Sequence, residues 1–175
     1  MGRCKLPCCA PCIRLPCDKR CSIILKCGHQ CPSLCGEPCP DSKFWCMECN
    51  SKTTKRTEVV DLILGQSLEE IDFNEPLQNI IPLSCGHCFT VETLDGIMEL
   101  NEGYIKEEEW IKLKKLSGGL TMKRCPMCKE PINGINRYGR VHKFAELNVL
   151  ERKFLMHWNE KLTKFKIKIQ YGNDF

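Results

Sequence analysis

The sequence predicts an irregular, cysteine-stapled array over residues 1–49, then a small α+β module, then a C-terminal helix. Three observations carry this. Sixteen of the 175 residues are cysteine, far above ordinary usage. Twelve of them fall within residues 1–49, where large apolar residues are scattered and prolines at 7, 11, 16, 32, 38 and 40 forbid a long helix. The other four stand in "CGHC" (85–88) and "CPMC" (125–128), among apolar spacings that suit strands and helices.

The array cannot bury a core of its own, so its cysteines must supply the cross-links. They can do so as disulfides or as metal thiolates. "MGRCKLPCCAPC" (1–12) holds no apolar run of signal-peptide type, and no run of 18 apolar residues occurs to span a membrane. The expectation is a reduced intracellular protein, nuclear or cytoplasmic, with no membrane association.

The spacings agree. In "CMEC" (46–49) and "CPMC" (125–128) two residues separate the thiols, which sets the sulfurs about 3.7–4 Å apart on one tetrahedral zinc. Cys85 and His87 flank Gly86, whose freedom at positive φ makes the turn, and with Cys125 and Cys128 they complete a Cys₃His set. The array offers Cys4, Cys8, Cys12, Cys17, Cys21, Cys27, His29, Cys31, Cys35, Cys39, Cys46 and Cys49, enough for three more ions and about four zincs in all. Its connectivity stays open, as does the choice between Cys8 and the adjacent Cys9. Cys88 points away from its neighbour His87 and reads as a small buried hydrophobe.

Charge says less than it first suggests. The formal net charge is +4, distributed as +6 over 1–56, −8 over 57–123 and +6 over 124–175. Counting zinc-bound cysteines as thiolates brings the total to about −2. Global basicity therefore gives no argument for nucleic acid. Two local patches remain, Lys19/Arg20/Lys26 and Arg137/Arg140/Lys143.

Residues 50–78 read as a polar linker and acidic segment, 79–139 as the α+β module, and 140–175 as a helix with a basic tail. "NIIPLSCGHCFTVETL" (79–94) predicts strand–turn–strand, after which Thr90 caps a helix running to about 101. "YIKEEEWIKLKKL" (104–116) has near-helical apolar spacing and predicts a helical insertion. Over 140–162, Val141, Phe144, Leu147, Leu150, Phe154 and Trp158 fall on one helical stripe.

The order Cys46/Cys49, Cys85/His87, Cys125/Cys128 resembles a RING finger, which interleaves two zincs across four ligand pairs. The third pair is missing, because Thr90 stands where that pattern wants a cysteine three positions after His87. The module is thus a degenerate RING-like one retaining the second zinc site. "CDKRCSIILKCGHQCPSLCGEPCP" is similar to the NF-X-type zinc finger, with Cys27, His29, Cys31, Cys35 and Cys39 on its core. The wider run over about 4–145 resembles the C-terminal region of NF-X-type zinc-finger helicases, the Upf-like superfamily 1 RNA helicases. That resemblance implies a fragment or short paralogue of such a protein, contacting protein or single-stranded RNA. No phosphate-loop motif and no helicase core occur, so helicase activity is not implied.

The leading expectation is a zinc-binding interaction module. A ubiquitin-ligase module recruiting a ubiquitin-conjugating enzyme through Met47 and Pro126 is the alternative from another class, and a structural appendix is the third. No nucleophile–base–orienter set is present, so no catalytic residue is assigned.

Overall fold

A computed structural model describes residues 6–7, 10–46, 49, 54–107, 109–116 and 119–171. Cys4, Cys8, Cys9 and Met47 lie outside the described residues. In the array, proline and metal-ligand spacing leave little regular structure except a ladder-bonded hairpin over 19–35. Cys35 N–H donates to Lys19 O, Cys21 N–H to Ser33 O, Cys31 N–H to Ile23 O and Leu25 N–H to His29 O, all at 2.8–2.9 Å. Helix α1 (Ser42–Trp45) follows, its first turn capped by the Asp41 carboxylate on Lys43 N–H.

The strand–turn–strand predicted around the second Cys-Gly-His is present. β1 (Ile80–Pro82) pairs antiparallel with β2 (Cys88–Thr90), with Ile81 opposite Phe89. Side chains alternate across this hairpin. Ile80 and Cys88 face a small cluster of Trp45, Val60, Leu68 and Ile71, while Ile81 and Phe89 face the main core. Cys88 is buried among apolar side chains, as its place beside His87 led us to expect. Thr90 caps α2 (Val91–Ile97), its hydroxyl accepting from Thr93 N–H.

Residues 104–116 depart from the helical expectation. They form an antiparallel pair, β3 (Tyr104–Lys106) and β4 (Trp110–Leu113). In a helix Tyr104 and Trp110 would point to different faces. The hairpin brings their rings edge to face at 5.9 Å, both buried. Trp110 also donates its indole N–H to Asp18 at 3.0 Å. Burial of two large rings and a satisfied indole overrides the weak preference read from spacing.

Helix α3 (Gly139–Tyr171) covers the predicted stripe and runs on through the basic tail. Only its start joins the core, through Val141, Phe144 and Ala145; Leu150, Phe154, Trp158 and Leu162 are exposed. No helix among the described residues is long and apolar enough to cross a membrane.

One buried side chain joins the array to the module at several points. The Arg137 guanidinium forks onto Asp95 with two 2.7 Å bonds, reaches Asp18 at 2.9 Å, and donates to Cys17 O at 3.0 Å. Its backbone N–H and that of Asn136 both donate to the Glu37 carboxylate. Arg140 donates to the carbonyls of Gly103, Cys12 and Lys114. Two of the three cations read as a surface patch at 137–143 are thus turned inward, because a planar five-donor fork suits convergent carboxylates and carbonyls.

Candidate metal centres

Two ligand sets share one construction. In Leu25–His29 and again in Leu83–His87 the leucine carbonyl accepts from the glycine N–H, and its N–H donates to the histidine carbonyl. Gly28 has φ 85° and Gly86 φ 86°, a region side chains rarely enter. Pairing continues in the same register on both, Ile24 opposite Gln30 and Pro82 opposite Cys88. The two Cys-Gly-His tripeptides are therefore copies of one turn, each projecting a thiol and an imidazole to the same side.

Each turn meets a Cys-x₂-Cys pair. Cys27 and His29 meet Cys46 and Cys49, while Cys85 and His87 meet Cys125 and Cys128, with all ligand atoms of a set within 4.8 Å of one another. The second halves are built differently. Cys46 ends helix α1. Cys125 opens a hairpin knuckle in which its N–H donates to Glu130 O and its carbonyl accepts from Lys129 N–H.

The spacing tests the fit of an ion. A tetrahedral zinc with bonds of about 2.3 Å to sulfur and 2.0–2.1 Å to nitrogen needs sulfur–nitrogen edges of roughly 3.5 Å. His29 Nδ1 lies 3.4 Å from Cys46 Sγ and 3.2 Å from Cys49 Sγ. His87 Nδ1 lies 3.4 Å from Cys85 Sγ and 3.7 Å from Cys125 Sγ. Nδ1 is the facing nitrogen in both sets.

A third group joins Cys21, Cys31 and Cys39, with Cys21 and Cys39 Sγ 4.0 Å apart. Of the remaining predicted ligands, Cys12, Cys17 and Cys35 belong to none of the three groups found among the described residues. Cys17 and Cys35 line one shallow cleft beside Arg137, and Cys12 Sγ accepts from Arg14 N–H at 3.5 Å.

The electrostatics favour a cation. Burial, then the neighbouring Cys39 and Cys21 thiols, push Cys31 up to about 12, against the Ser33 N–H that lowers it. Burial likewise pushes Cys85 up to about 11, with the Cys128 and Cys125 thiols adding to it. The N–H of His29 does the reverse, holding Cys27 down to about 7. Thiols this close cannot all ionise alone. A dication removes the penalty, and thiolate with imidazole in tetrahedral spacing selects zinc.

Sequence reading missed a buried polar knot beside the second set. The Asp61 carboxylate, 1% exposed, accepts from the Thr90 hydroxyl at 3.0 Å and the Thr93 hydroxyl at 3.4 Å. It also accepts from Ile63 and Leu64 N–H at 2.8 and 2.9 Å, while Leu62 N–H donates to the Thr93 hydroxyl at 3.0 Å. The available signal was a second threonine three residues after Thr90.

These donor sets define a zinc-binding, cysteine-rich protein. Part of each of several NFX1-type zinc finger-containing proteins is similar to this chain. It is 32% identical over 153 residues to NFX1-type zinc finger-containing protein 1 homolog of Caenorhabditis elegans, covering 85% of this chain and 5% of that protein. NFX1-type zinc finger-containing protein 1 of mouse and of human are 32% and 33% identical over 143 residues, 80% of this chain and 6% of each relative. The chain thus spans only about one-twentieth of the length of these relatives. No family model matches it, and neither does any solved structure.

Proposed function

We propose that the chain is a zinc-held interaction module whose first partner is protein rather than RNA. One observation carries the preference: Arg137 is buried and Arg140 is bonded to three carbonyls, so the basic patch after the last knuckle is largely spent inside the fold. Lys19 and Lys26 on the array hairpin remain for phosphate contact, while Arg20 donates to Cys31 O and lies over the Phe73 ring. RNA affinity should accordingly be weak and sequence-tolerant, with a salt slope no steeper than roughly −2 to −3 at about −0.7 per phosphate contact on single strands. Filter binding across several salt concentrations measures it. A slope near zero with tight binding, or one much steeper, contradicts the preference for protein.

A second reading has a specific observation behind it. In a RING finger the third ligand pair follows the histidine by three residues and is itself spaced by three, and it shares its metal with the first pair. Here those third-pair positions are Thr90 and Thr93, and both hydroxyls converge on Asp61. Cys46 and Cys49, which the ligand order made candidates for the first pair, instead meet Cys27 and His29. Asp61 with its turn takes the first pair's place, so a hydrogen-bonded knot substitutes for one metal. On this reading the module is a RING-like ubiquitin-ligase unit that acts by docking a conjugating enzyme and supplies no catalytic residue of its own.

A further inference from the structure

Beyond its first turns, helix α3 carries an apolar stripe that the fold leaves in water. Leu147, Phe154, Trp158, Leu162, Phe165 and Ile169 lie on one side of the helix, yet all are 39–66% exposed. Positions 151, 154 and 158 recur as 162, 165 and 169, an 11-residue repeat. That period, about 3.67 residues per turn, nearly matches the α-helix, so the stripe runs almost straight for roughly 33 Å. The Phe154 and Trp158 rings already lie against each other at 5.9 Å. A helix in water draws most of its stability from packing such a face. The main core reaches no further along this one than Ala145.

We infer that this stripe packs on the same stripe of a second copy of the chain, the two helices running antiparallel about Trp158. The pattern of residues selects both the occupant and the direction. Trp158 is the midpoint of the stripe, so in an antiparallel pair it meets its own counterpart. Phe154 then comes level with Leu162, and Leu147 with Ile169. Apolar meets apolar along the stripe except at Glu151, which comes level with Phe165 and one turn from Lys161. Lys161 Nζ lies 4.9 Å from the centroid of the Trp158 ring, so that ion pair would close beside the aromatic centre. A parallel pair would instead set Glu151 on Glu151, and the lysines at 161, 164 and 166 on their counterparts. No acidic residue between 161 and 167 offsets them. An anionic lipid surface fits less well, because it repels the carboxylate in the middle of the apolar face. Burying the stripe from both copies removes on the order of 1,200 Å² from water, the lower end of the range for a stable interface. This contact is independent of the RING-like reading.

Analytical ultracentrifugation of the full zinc-loaded chain over a concentration series tests this. The chain should pass from monomer to dimer in the micromolar range, as an interface of this size allows. Trp158→Glu, at an exposed position away from the core and the metal ligands, should raise the dissociation constant about a hundredfold or more, since both copies lose the contact. Ile111→Arg, an exposed position on β4, should leave it unchanged. Glu151→Lys should weaken the dimer, and adding Lys161→Glu should recover most of the loss. A dimer strengthened by Glu151→Gln overturns the antiparallel direction, because only a parallel pair gains from removing that charge. A dimer that survives Trp158→Glu combined with Phe165→Glu overturns this face as the interface. In a parallel arm the chain is sedimented with vesicles of phosphatidylserine and phosphatidylcholine. A chain that stays monomeric through the micromolar range overturns the second copy as occupant. If that monomer also sediments with the vesicles, and Trp158→Glu abolishes this, the stripe belongs to a membrane surface instead.

Discussion

Chelation of zinc will abolish amide protection across residues 19–49 while leaving a collapsed remnant around β2 and α2. The array contributes few buried apolar side chains, Leu34 and Trp45 chief among them, so metal is the main cross-link that fixes its turns. Apparent binding free energies of about 10–16 kcal/mol per structural zinc are, for such a segment, its folding free energy. The module differs. Ile81, Leu83, Phe89, Val91, Leu94 and Leu100 are buried together and keep contact without an ion. Its knuckle at 123–132 should open, and Phe89–Leu94 should stay partly protected. Hydrogen exchange with and without chelator reads both. Undiminished protection over 19–35 in chelator would mean that the hairpin ladder alone holds the array.

The second large effect belongs to Arg137. Arg137→Ala leaves Asp95 and Asp18 facing each other across a vacated site, removes the donor to Cys17 O, and uncovers one face of Trp110, whose ring lies 5.6 Å from the guanidinium. Breaking a buried ion pair by removing one partner costs about 3–5 kcal/mol, a large part of a total of roughly 5–15. Arg137→Lys should recover only part of this, since an ammonium cannot fork onto Asp95 and also reach Asp18 and Cys17. Burial pushes the Asp18 carboxyl up, but the Trp110 indole, the Arg137 charge and Lys106 together hold it below the usual carboxylate range. Its contribution is therefore complete above that range and lost as pH falls through the lowered value. Denaturant unfolding of the zinc-saturated variants measures the cost. A loss within about 1 kcal/mol for Arg137→Ala, the size of an ordinary surface ion pair, would show that the array and the module do not depend on this junction.

What the sequence made legible was local chemistry. A Cys-x-His turn and a Cys-x₂-Cys knuckle declare themselves because their spacing already satisfies half a tetrahedron. Which halves share a metal is a matter of tertiary placement, so the set Cys27, His29, Cys46 and Cys49 stood only as an unpartitioned part of a twelve-ligand list. The same limit explains Arg137. Nothing near it in the chain predicts burial, because Asp95 lies 42 residues away and Cys17 O 120. Residues 104–116 satisfy a helical period and a hairpin alike, and only the meeting of Tyr104, Trp110 and Asp18 decides between them. The Asp61 knot was hidden for a related reason: threonine is ordinary in a helix cap, and its second role appears only when a distant carboxylate turns towards it.

The central claim is that the two Cys-Gly-His turns build two separate zinc centres, each with its own Cys-x₂-Cys pair. Native mass spectrometry of the chain and of Cys46→Ser, Cys125→Ser and the double variant tests it most directly. The arrangement predicts that each single variant loses one zinc relative to the unmodified chain and that the double variant loses two. A single variant that loses two zincs, or a double variant that loses only one, would contradict it, as would disulfides in place of metal under reducing conditions.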